Sequence, residues 1–104
     1  MVKKMYARMF DPTQPHSRGI PFGVVMATAN ENGEVHVGWS QCSKNDHFDR
    51  DFGTMIAEGR LQNNPIRGTD VMKGNVPESW TQEMLHVVEN VVEDLSYNPS
   101  RYMS

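Results

Sequence analysis

The residues with the widest chemical range lie together between positions 42 and 60, in CSKNDHFDRDFGTMIAEGR. Cys42 and His47 are a thiol and an imidazole, the pair from which a thiolate nucleophile and its base are made. No third group at a recognisable spacing orients the imidazole, and a small thiol at a strand end beside a histidine is the plainer account. Asp46, His47, Asp49 and Asp51 carry donors that hold cations, and His47 and Asp51 would share one face of a helix. Acids here are also what a helix N-terminus selects, and His16, His36 and His86 have no spaced partnership with them. Capping therefore explains the acids without a metal. Arg60 closes the segment, where a cation favours the end of a helix dipole. Facing a phosphate instead, it would be joined by hydrogen bonds from Ser43, Lys44 and Asn45, and by amides of a helix opening near Asp46. The ligand-binding candidates are thus Ser43, Lys44, Asn45, Asp46 and Arg60, with no catalytic residue, metal ligand or cofactor expected. Arg8, Arg18, Arg50 and Arg67 are further cations that the sequence does not place near Arg60. Trp39, Phe48 and Phe52 have faces that could stack on a base, but aromatics on a strand or in a helical stripe are more commonly core, the reading adopted for Phe52 and Trp39.

These side chains need elements to carry them. FGVVMATA, residues 22 to 29, is apolar and β-branched enough for a central strand, and EVHVGWSQ, residues 34 to 41, alternates with Val35, Val37 and Trp39 on one face. Asn30 to Gly33 between them ends in Asn-Gly, so a β-hairpin spans about residues 20 to 41. VKKMYARMF, residues 2 to 10, suits a first strand, followed by a proline-rich loop. A helix is expected from an Asp46 N-cap, with Phe48, Phe52, Met55 and Ile56 as its apolar stripe. Gly53 and Ala57 would form a smooth patch on it that admits a close neighbour. Residues 63 to 77 read as a connector, because Pro65 and Gly68 resist helix. Pro77 opens a second helix faced by Trp80, Met84, Val87, Val88, Val91 and Leu95 and ended at Asn98-Pro99. The expected fold is α+β: a small antiparallel sheet with a β-hairpin, packed against two helices on one face, in one domain over 1–104.

Composition narrows the functions. A net charge of −3, from 10 Lys and Arg against 13 Asp and Glu, supplies no basic face for bulk nucleic acid and no acidic run that would imitate one. A lone cysteine excludes an internal disulfide framework and suits a reducing compartment. The N-terminal lysines precede no apolar run like that of a signal peptide, and the longest apolar stretch, 22 to 29, is too short to span a membrane. The expectation is a cytoplasmic protein with no membrane partner. Eight methionines suit an adaptable core or interface.

The block from the V-x-V-G-W-S strand into residues 42 to 60 resembles a pattern of small bacteriophage proteins, C-[NS]-x-x-D-x-F-x-[KR]-x-x-G-x-x-I-A-x-G-R. Cys42, Ser43, Asp46, Phe48, Arg50, Gly53, Ile56, Ala57, Gly59 and Arg60 match it. It is similar to the Thoeris anti-defence sponge family, viral proteins that bind a cyclic ADP-ribose-type signal and sequester it without cleaving it. The resemblance spans about residues 20 to 63 and implies that Arg60 contacts a ligand phosphate while Ser43 hydrogen-bonds the nucleotide. It also implies a homo-oligomer in the cytoplasm of an infected host. The pattern has a second arginine one turn after Arg60, where this chain has Asn64. Two functions follow: a non-catalytic nucleotide-sequestering protein, or an interaction module that inhibits a host protein.

Overall fold

The computed structural model describes residues 2–10, 12–13, 19–43 and 46–97. In chain order the elements are β1 (Lys3–Met9), β2 (Ile20–Ala29), β3 (Val35–Gln41), α1 (Arg50–Asn63), β4 (Ile66–Arg67), α2 (Gly68–Met72) and α3 (Gln82–Tyr97). The strands form one antiparallel sheet in the order β1-β2-β3-β4, so the fold is α+β, as the sequence patterns require.

The hairpin is closed by side-chain chemistry. Asn30 accepts from the amides of Asn32 and Glu34 at 3.0 and 2.9 Å, while Gly33 takes φ +80°, which a residue with a Cβ adopts only at a cost. Between Ala7 and Arg8 the β1–β2 register skips Phe22, a bulge that turns Phe22 and Gly23 toward the same side.

The helices lie on opposite faces of the sheet, not on one. Val25, Ala27, Val35 and Val37 pack with Met84, Val88, Val91, Val92 and Leu95 of α3, whereas Val24 and Met26 pack with Ala57 of α1. The cause is the composition of β2, which is apolar at successive positions and so needs cover on both sides. The 63-to-77 connector holds β4, paired with His36 and Val37, and the short α2.

The second long helix begins later than Pro77. Residues 77 to 80 form a turn, with the Trp80 amide donating to the Pro77 carbonyl at 3.1 Å. Thr81 then caps α3, its hydroxyl accepting from the Met84 amide at 3.1 Å. Pro77 fits a tight turn as well as a first helical turn, and the Thr81 hydroxyl decides where the helix starts. Of the expected face, Met84, Val88, Val91 and Leu95 are buried and Val87 is half-buried, with Trp80 packed beside them from the preceding turn and Val92 added. The expected stop at Asn98-Pro99 lies outside the described residues. No helix among the described residues is long and apolar enough to cross a membrane.

Candidate functional site

α1 lies against the sheet through its smallest residues. Gly53 and Ala57 are buried, and across from them stand Gly38 and Ser40 of β3. A Cβ on Gly38 would meet the Ala57 carbonyl and come within 2.5 Å of the Leu61 amide nitrogen, so helix and strand backbones are nearly in contact. At that separation large side chains do not fit beneath the helix. Phe52 and Met55 accordingly point outward, 60% and 59% exposed, which overturns the Phe48–Phe52–Met55–Ile56 stripe as the core face. Phe48 and Ile56 are half-buried, Phe48 meeting the Tyr6 ring edge-on at 6.2 Å. The smooth Gly53–Ala57 patch does admit a close neighbour, and that neighbour is β3.

The loop before the helix closes on itself. The Ser43 hydroxyl donates to the Asp46 carboxylate at 2.7 Å, the Asp46 amide donates to the Ser43 carbonyl, and the Cys42 thiol donates to the Asp46 carbonyl at 3.3 Å rather than to His47. Asp46 is therefore a turn residue. The N-cap is Asp49, whose carboxylate accepts from the Phe52 amide at 3.0 Å, and α1 begins only at Arg50. The expected helix start at Asp46 is corrected accordingly. Because Asp49 already engages a terminal amide and brings negative charge, this helix end is not an open anion site. Lys44 and Asn45, expected to contribute hydrogen bonds, lie outside the described residues.

Arg60, in the last turn of α1, reaches past the edge of β3. Its Nη1 donates to the Trp39 carbonyl at 2.8 Å, and its Cζ stands 4.0 Å from the centroid of the Trp39 ring. This is possible because β4 pairs only with His36 and Val37, leaving Trp39 beyond the last ladder partner. Of the other arginines in the described residues, Arg8 donates to the Gly19 carbonyl, Arg67 lies 3.7 Å from the Asp70 carboxylate, and Arg50 is exposed at the start of α1. Arg18 lies outside them.

Between the loop, the end of β3 and α1 runs a cleft of about 370 Å³. Ser43, Asp46 and Asp49 line it with Phe52 and Gly53 along the helix, and Arg60 is the one arginine among the described residues that line it. Three of the five expected ligand residues, Ser43, Asp46 and Arg60, thus share one cavity. Its charge is divided. Arg60, in the last turn of α1, is tied to Trp39, while the acids lie in the loop after Cys42 and at the start of the helix. At the cleft floor the Ser40 hydroxyl is buried without a hydrogen-bond partner, 3.1 Å from where a Cβ on Gly53 would stand.

Ser40, Asp49 and the Trp39 contact were not assigned to the site from sequence. A capping acid and an alternating strand residue look the same whether or not a cleft lies beside them, and nothing in the chain relates Trp39 to Arg60. Among the described residues no group of three or more His, Cys, Asp or Glu side chains gathers as a metal site. No family model, curated protein or solved structure matches the chain.

Proposed function

We propose that the protein binds a small phosphorylated nucleotide of the cyclic ADP-ribose type in the 40-to-60 cleft and sequesters it without chemistry, as a viral protein countering a host defence signal. The observation that carries this reading is the cleft itself, which gathers Ser43, Asp46 and Arg60 within a volume suited to a small ligand. Arg60 is the anion contact. Among the described loop residues the Ser43 hydroxyl is used as a donor toward Asp46, which leaves the Ser43 oxygen and the spare carboxylate oxygens of Asp46 and Asp49 as acceptors. A ligand with a phosphate at Arg60 and amino or hydroxyl donors toward the loop acids satisfies both ends, which bare phosphate does not. The similarity of residues 42 to 60 to the sponge pattern supports the same assignment. Titration calorimetry with cyclic ADP-ribose, ADP-ribose and a cyclic-dinucleotide panel tests it. Binding that Arg60→Ala weakens at least about tenfold is expected, since a charge-assisted contact contributes about 1.5–3 kcal/mol. No heat with any ligand, or an indifferent Arg60→Ala, ends the reading.

A second reading, a module that binds and inhibits a host protein, is favoured by the exposed Phe52 and Met55 on the outer side of α1. A stoichiometric partner retained by the wild type and lost by Phe52→Ser/Met55→Ser would favour it over nucleotide binding.

A further inference from the structure

Arg60 lines the cleft, and its guanidinium is held at the edge of β3. Trp39 supplies both restraints, its ring 4.0 Å from Arg60 Cζ and its carbonyl 2.8 Å from Nη1, so one residue fixes position and orientation together. Trp39 is in turn pinned. Trp80 meets it edge-on, with ring centroids 5.4 Å apart and planes at 81°. Gln41, two residues along β3, clasps the Trp80 turn by donating to the Ser79 carbonyl at 2.7 Å and accepting from the Thr81 amide at 3.0 Å. The ladder runs from the α3 side of the sheet, around the open edge of β3, to the cleft on the α1 side.

An unrestrained arginine loses side-chain freedom when a ligand fixes it, and that loss weakens binding. A guanidinium already laid on an indole has lost that freedom in the folded protein. With one N–H committed to Trp39, its remaining in-plane donors present a set fork to an oxyanion. We propose, resting on the reading of the cleft as a phosphate site, that Trp39 is the positioning residue for Arg60: it holds the guanidinium ready for in-plane contact with phosphate oxygens and restricts the position to arginine. A lysine ammonium has neither the plane that stacks nor the fork that reaches two oxygens.

The test is calorimetry with ADP-ribose and cyclic ADP-ribose on the wild type, Trp39→Leu, Trp39→Met, Trp39→Phe, Arg60→Lys and the Trp39→Leu/Arg60→Lys double variant. Fluorescence titration of Trp80→Phe, excited selectively at tryptophan, accompanies it, because the chain has two tryptophans and this variant leaves Trp39 as its single one. Trp39→Leu is expected to bind about twofold to thirtyfold more weakly, the range that an aromatic–cation contact spans. The double variant is expected to bind no more weakly than Arg60→Lys alone, because the two residues act as one unit. Ligand should shift the Trp39 emission in Trp80→Phe, and Arg60→Ala in that background should abolish the shift. Full affinity in Trp39→Leu, or losses that add in the double variant, would overturn the proposal. Trp39→Phe, which keeps a ring under the guanidinium, should bind close to wild type. If circular dichroism shows Trp39→Leu unfolded, Trp39→Met decides, and wild-type affinity there overturns the proposal equally. A wild type that binds neither probe removes the phosphate reading and the positioning role together. A wild type that binds while Trp39 is indifferent removes the positioning role alone.

Discussion

Gly38 and Ser40 sit on the side of β3 that α1 covers, and their effects on stability have opposite signs. A methyl on Gly38 has nowhere to go, because its neighbours are the Ala57 carbonyl and the Leu61 amide, which are backbone and cannot rotate aside. Gly38→Ala should lower the unfolding free energy by about 2 kcal/mol or more, measured by urea denaturation. The Ser40 hydroxyl is buried with no partner, and such a group costs about 1–3 kcal/mol. Ser40→Ala should therefore leave the urea midpoint unchanged or raise it. A clear fall would mean that the hydroxyl has a partner in solution.

At the scale of elements, α1 and α3 achieve burial by opposite means. α3 buries a stripe of large apolar residues at helical spacing, and that stripe is legible in the sequence because size and period coincide. α1 buries Gly53 and Ala57 and exposes Phe52 and Met55. Its existence is legible from the capping acids and the absence of proline, but its orientation is not. Which face packs depends on Gly38 and Ser40 across the contact, and no pattern within the helix records them. Phe52→Ser should change stability by no more than about 0.5 kcal/mol, whereas Leu95→Ala in α3 should cost about 2–5 kcal/mol. Gly59 has open space where a side chain would stand, so Gly59→Ala should stabilise by up to about 1 kcal/mol. Thermal denaturation of the three variants checks both helices at once. The hairpin was legible for local reasons, since Asn30, Gly33 and the alternation of β3 all act within a few residues. β4 was not, because two residues carry no period.

Across the whole molecule, the candidate site depends on where the sheet stops. Ser43, Asp46 and Arg60 come together through one loop and one helix, adjacent in sequence, which is why residue types alone could nominate them. Trp39 reaches Arg60 only because β4 is short, and Trp80 reaches Trp39 only because the turn before α3 folds against the end of β3. Those relations are tertiary and leave no mark on local spacing. The sheet order follows the chain order, so each strand pairs with its neighbour in sequence and the contacts between strands are comparatively local. Assembly is then expected to start with the β2–β3 hairpin and to add β4 last, because two residues of ladder hold it. In native-state hydrogen exchange, amides of β2 should be the slowest and those of β4 and α2 should open well before global unfolding. Arg60 rests beside that weakly held strand, on the part of the β3 edge that β4 leaves unpaired. A ligand that fixed Arg60 would also fix α1 against that edge, and its binding should register as slowed exchange along β4 and α2 before any change appears in the core.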